Sequence, residues 1–142
     1  MRDASGTRLA VLAVALGRIM QLKEATMNRV LVIDQDSSTT RTLGLACLQR
    51  GVGVVFADNV CDGVRLLLDA IVDLVLVDVV ALRLTPREMA TLFERVAPGV
   101  PLVVAVRPET SLEYRVALEL AGFRVLTKPV TVEELLEKAP SV

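Results

Sequence analysis

The stretch VLVDVVALRLTPRE, residues 75–88, decides the architecture. Leu74 to Val77 are all apolar, Val79 to Leu82 are apolar again, and a single carboxylate, Asp78, stands between the two runs. Consecutive apolar residues in a strand mark one covered on both faces, as central parallel strands are. A lone charge buried there costs several kcal/mol unless something neutralises it. Asp78 therefore fits only where the strand ends and opens onto a charged pocket. Just downstream, Thr85-Pro86-Arg87-Glu88 joins a capping box to a proline at the first helical position, so a helix opens and runs to about Val96.

The same strand-then-helix unit repeats on either side. RVLVID (29–34) is a first buried strand, and SSTTRTLGLACLQRG (37–51) a helix with Ser/Thr at its start and Gly51 just past its end. GVVFAD (53–58) is strand two, after which Asn59 caps a helix to about Ile71. DLVLVD (73–78) is strand three and PLVVAV (101–106) strand four. Thr110 and Glu113 form a second capping box, for a helix that Gly122 closes. RVLT (124–127) is strand five, and Thr131 with Glu134 opens a short last helix. Strands alternating with helices in this way require right-handed crossovers and a parallel sheet covered on both sides. The fold class is doubly wound α/β, with five strands and no repeat, linker or second domain.

Composition narrows the chemistry. Of 142 residues, 53% are apolar and 23% charged, enough for a globular core. Sixteen basic residues against 17 acidic ones give a net charge of −1, which offers no footprint for nucleic acid. Three Phe, one Tyr and no Trp leave little for base stacking. Cys47 and Cys61 follow no metal-ligand spacing and sit among apolar residues, so both read as reduced core thiols. The chain has no histidine, which removes Ser-His-Asp and Cys-His catalysis, His-ligated zinc and any role as phosphohistidine donor.

Residues 1–26 differ from the rest. RLAVLAVALGRIMQLKEA (8–25) has good helix formers and an unbroken apolar run from Leu9 to Leu16, too short to span a bilayer. Arg2 and Arg8 before it suggest a signal peptide, whereas Asp3 and a weak cleavage site oppose one. The segment reads as an apolar helical extension that packs on the domain or on a second copy, with Met27 as an alternative natural start. No membrane contact is expected.

In doubly wound sheets, ligands bind beyond the carboxyl ends of the strands. Strand one delivers Asp34, Gln35 and Asp36 to that edge, strand three Asp78, strand four Val106 and Arg107, and strand five Lys128-Pro129. Two carboxylates about 4 Å apart repel by roughly 4 kcal/mol at an effective dielectric of about 20, so a cation must neutralise them. Oxygen ligands suit Mg2+, and a lysine suits a phosphoryl oxygen. A carboxylate nucleophile beside both is equipment for an aspartyl-phosphate. Each piece alone reads more simply, the acid as a solvated cap and the Lys-Pro as a turn. Their convergence on one edge favours chemistry.

From Met27 to about Lys138 the chain resembles the receiver domain of two-component response regulators. The matching residues are VLVIDQD after the first strand, Asp78 after DLVLV, Glu88, ALELAG closing the fourth helix, and LTKPV around Lys128. The resemblance implies a flavodoxin-like strand order 2-1-3-4-5 and a domain spanning 27–142. It implies that Asp78 is the phosphoacceptor, that Lys128 contacts the phosphoryl group, and that Lys128-Pro129 is cis. Mg2+ would be held through Asp34, Gln35, Asp78 and the Val80 backbone carbonyl. The partners would be a histidine kinase or phosphotransfer protein, a downstream protein and a second copy of the chain, in the cytoplasm, with the chain itself not an enzyme.

Three positions depart from the pattern. Gln35 replaces an acidic metal ligand, so weaker Mg2+ binding is expected, with Asp36 as a candidate substitute. Val106 stands at the switch position that usually bears a Ser/Thr hydroxyl, and Val125 replaces the aromatic that moves with it. ALRLTP (81–86) makes the rim after Asp78 more apolar through Ala81, Leu82 and Leu84. The leading expectation is phosphorylation on Asp78 with output by protein contact. The alternative is a pseudo-receiver acting as a phosphorylation-independent adaptor. A phosphatase that turns over an aspartyl-phosphate ranks last, because Val79 and Val80 supply no second acid.

Overall fold

The computed structural model describes residues 29–138. The apolar extension 1–26 and the alternative start at Met27 lie outside the described residues. Five parallel strands, β1 (Arg29–Ile33), β2 (Gly53–Ala57), β3 (Leu74–Asp78), β4 (Leu102–Val106) and β5 (Arg124–Thr127), form one sheet in the order β2-β1-β3-β4-β5. The helices are α1 (Ser37–Gln49), α2 (Val60–Asp69), α3 (Val79–Leu82), α4 (Pro86–Val96), α5 (Leu112–Leu120) and α6 (Val132–Lys138). The fold class is as the sequence indicated, and the strand order as the resemblance implied.

The consecutive apolar runs divide by alternation into two cores. Leu31, Ile33, Val75, Val77, Val104 and Val106 face one way, packed with Met89 and Phe93 of α4, Leu118 of α5 and Phe123. Val30, Val32, Leu74, Leu76, Val103 and Ala105 face the other, packed with Leu43 and Cys47 of α1 and Val132 and Leu135 of α6. Every residue of β3 is buried, as its sequence requires of a central strand.

Local signals held at most helix ends. Thr85 and Glu88 close the capping box of α4 with Pro86 behind them, and Thr131 and Glu134 cap α6 reciprocally. Gly51 and Gly122 end α1 and α5 at φ 76° and 97°, a left-handed conformation that glycine adopts without a side-chain clash.

Elsewhere the sequence reading is corrected. The cap of α5 is Ser111, whose hydroxyl accepts from Tyr114 N, because Thr110 N is used in a turn onto Arg107 O. Helix α2 ends at Asp69, not near Ile71, since the chain must extend at Ala70 to bring Asp73 against Arg29. The four-residue α3 after Asp78 was not foreseen, and Arg83 terminates it at φ 54°. Cys47 is buried and its thiol pushed up by that burial, but Cys61 is exposed on the outer side of α2, where Gly63 and Leu67 are the buried positions. Both thiols are free.

A candidate phosphoacceptor site at the carboxyl edge of the sheet

The sheet order places β1, β3 and β5 so that their carboxyl ends deliver Asp34, Asp78 and Lys128 to one point. Asp34 N donates to Ala57 O at 3.0 Å, and Lys128 N to Val106 O at 2.8 Å, which continues the ladders past the strand ends and fixes both backbones. Lys128 Nζ then donates to Asp34 Oδ2 at 2.9 Å and to Asp78 Oδ2 at 3.1 Å. Asp34 and Asp78 are 7% and 6% exposed, so this cation replaces water at both. The remaining carboxylate oxygens accept backbone N–H groups, Asp34 Oδ1 from Asp36 at 2.8 Å and Asp78 Oδ1 from Val80 at 3.2 Å. Burial works against the Lys128 ammonium, but its hydrogen bonds to Asp34 and Asp78 and their charges outweigh it, so its pKa is raised. The Lys128-Pro129 bond is cis.

The two carboxylates are thus held together by Lys128, with one negative charge left over. Whether this donor set suits Mg2+ turns on its chemistry. Mg2+ takes hard oxygens, commonly one or two carboxylates with several waters and a phosphate. Asp34 and Asp78 supply that number, and among the described residues no group of three or more His, Cys, Asp or Glu could hold a metal. Two carboxylates at one edge would suit a hydrated Mg2+ and not an all-protein cage.

Asp36 does not substitute for Gln35. Its carboxylate is the cap of α1, accepting from Ser38 N, Thr39 N and both their hydroxyls, and these bonds lower its pKa to about 2. Gln35 is exposed beside Asp34. Val106 is fully buried in the core under α5, and Val125 packs against the same cluster. The apolar rim is made differently from expectation. Leu84 turns in and packs against the core, while Val80 is 48% exposed beside Asp78. The side chains of Ala81 and Leu82 lie outside the described residues.

Sequence reasoning missed Thr127 and Arg115. Thr127 is paired in register with Val106, immediately before Lys128. Its hydroxyl accepts from Arg115 Nη1 at 2.9 Å. The signal was available in principle, because both strands end at matched positions, but a register between two strands is written in neither alone.

No family model matches the chain. It is 28% identical over 108 residues to the transcriptional regulatory protein GlrR of Escherichia coli (strain K12), and equally to QseF of Escherichia coli O157:H7. That match covers 76% of this chain but 24% of either protein, so the chain spans about a quarter of the curated relatives' length. Among solved structures, a CheY-like response regulator receiver domain protein from Methanospirillum hungatei JF-1 superposes with TM-score 0.67 at 24% identity, over 80% of this chain and 90% of that one. The beryllofluoride-activated NtrC4 receiver domain dimer gives 0.69 at 21%, over 80% and 93%. A Burkholderia pseudomallei response regulator with a phosphorylated aspartic acid, calcium ion and citrate gives 0.69 at 22%, over 80% and 67%. The fold is that of response-regulator receiver domains, as the resemblance implied.

Proposed function

We propose that this receiver-fold chain is a phosphoacceptor of a two-component phosphorelay, phosphorylated on Asp78, and that it is not itself an enzyme. The observation that carries the reading is the Lys128 ammonium bridging two buried carboxylates at the one edge where three strands converge. An Asp78 oxygen attacks phosphorus, forming an O–P bond as the bond to the donor's nitrogen or oxygen breaks. The electron pair leaves with the donor, which takes up a proton. Lys128 meets the developing negative charge on the phosphoryl oxygens, and Asp34 keeps Lys128 in place. Asp34, Asp78, Gln35 and the Val80 carbonyl would hold Mg2+. Bound there, Mg2+ supplies positive charge that screens the acceptor carboxylate from the incoming phosphate.

The partners proposed are a histidine kinase or phosphotransfer protein upstream and a protein contact downstream, a homodimer being one form of it. A cytoplasmic setting is supported by free thiols at Cys47 and Cys61. Among the described residues no helix is long and apolar enough to cross a membrane. The adaptor alternative draws on Val106, buried with no donor to offer, and on the neutral Gln35.

The decisive experiment is intact mass after incubation with Mg2+ and acetyl phosphate, beside Asp78→Asn. One added phosphoryl group that the variant lacks is expected. Labelling retained in Asp78→Asn moves the acceptor elsewhere. No labelling, together with no binding of beryllofluoride and Mg2+, makes the adaptor the better reading.

A further inference from the structure

Val106 lacks a hydroxyl, but its register partner Thr127 has one. The Arg115 guanidinium that donates to Thr127 Oγ1 at 2.9 Å also donates from Nη2 to Arg107 O at 3.2 Å and from Nε to Thr110 O at 3.4 Å. Arg107 and Thr110 belong to the loop between β4 and α5, and Arg115 lies in the first turn of α5. One planar cation therefore ties the end of β5, next to Lys128, to the start of α5. We propose that Arg115 and Thr127 form the link that carries the state of Lys128 to α5, in place of the hydroxyl that Val106 lacks. This link rests on the phosphoacceptor reading above and adds the route by which the signal leaves the site.

The coupling is one of rigid geometry. With Asp78 a free carboxylate, Lys128 Nζ is shared between Asp34 and Asp78. Phosphorylating Asp78, which makes an acyl phosphate, moves negative charge outward to the phosphoryl oxygens, and the ammonium follows it. Thr127 and Lys128 share the peptide whose N–H is bonded to Val106 O at 2.8 Å, so a pull on the Lys128 side chain turns that peptide about this bond and carries Thr127 with it. The guanidinium is a rigid fork whose short bond is to Thr127 and whose long bonds are to the loop. A small displacement of Thr127 either drags the fork off Arg107 O and Thr110 O or breaks the bond to Thr127. Those are two discrete arrangements of the loop that bears Ser111, the cap of α5. Coupling between sites needs such a two-state element. A static brace would hold the same three bonds and pass nothing on, which is what the test separates.

The test reads amide chemical shifts of the full chain with and without Mg2+ and beryllofluoride, in wild type, Thr127→Val and Thr127→Ser. In wild type, amides beside Asp78 and along Leu112–Leu120 are both expected to shift. Thr127→Val should keep the response beside Asp78 and at least halve that of α5, and Thr127→Ser should restore it. The link is overturned if α5 in Thr127→Val moves as far as in wild type, or if Thr127→Ser behaves like Thr127→Val. If nothing beside Asp78 moves in wild type, the phosphoacceptor reading falls and the link with it. A response at Asp78 without dependence on Thr127 overturns the link alone.

Discussion

Lys128 is where stability and chemistry meet at the scale of one residue. Its ammonium is the positive partner of two carboxylates that water barely reaches. Removing one partner of a buried pair leaves uncompensated charge, at a cost of about 3–5 kcal/mol. Lys128→Met should lose about that much in urea unfolding at pH 7. Asp78→Asn should cost little or nothing, because the Asp34–Lys128 bond at 2.9 Å survives and the surplus negative charge is gone. The folded-state pKa of Lys128 lies above its ordinary 10.5, so its contribution is complete below that pH and is lost as pH rises through the raised value. Wild type should therefore lose this stabilisation above about pH 10.5 in denaturation series, a loss that Lys128→Met does not show. Gln35→Asp should tighten Mg2+ several-fold by calorimetry, and an unchanged isotherm would place Gln35 outside the site. Asp34 and Asp78 were legible because each ends an apolar run, and Lys128 because it directly follows the last strand. Asp36 was not, since a helix cap and a metal ligand are the same residue in the same place until the backbone beyond it is seen.

At the scale of elements, the caps and close approaches decide. Asp36 caps α1 with a pKa near 2, below its ordinary 3.8. A carboxylate with a depressed folded-state pKa stabilises above its ordinary value, and that contribution disappears as pH falls toward 2. Acid unfolding followed by circular dichroism should show this loss between about pH 4 and 2 in wild type and not in Asp36→Ala. Two helix glycines should respond in opposite ways. A Cβ on Gly63 would meet Ile33 Cγ1 at 2.9 Å, and Ile33 is fully buried, so nothing can give. Gly63→Ala should cost about 1–3 kcal/mol in urea unfolding, as overpacking does. A Cβ on Gly44 would meet the tip of Phe56 at 2.8 Å, but that ring is 43% exposed and free to swing out. Gly44→Ala should be neutral or gain up to about 1 kcal/mol of helix propensity. Element type and order were readable from apolar runs and turn residues. The ends of α2 and α5 were not, because Asp73 against Arg29 and Thr110 against Arg107 are tertiary or turn bonds that override a local capping pattern.

For the whole molecule, the question is which surface the site can address. Leu112, Val116 and Leu120 stand 74%, 43% and 83% exposed at four-residue spacing on α5, the helix that Arg115 ties to Thr127 at the end of β5. Apolar residues four apart share one side of a helix, so these three make a stripe that the core of the described residues does not cover. The sequence shows the spacing, but only the packing of Leu118 and Tyr114 inward shows which side of α5 is left over. Because the stripe contributes little to the fold, Leu112→Ser with Leu120→Ser should leave unfolding stability within about 0.5 kcal/mol of wild type for each exposed position. If the stripe is where two copies meet, sedimentation equilibrium with Mg2+ and beryllofluoride should show a wild-type mass rising with concentration and a double variant that stays monomeric. A wild type that stays monomeric under those conditions rules out a second copy as what covers the stripe. A double variant that still self-associates moves the contact to another face, and α5 would then receive the signal without being the surface that delivers it.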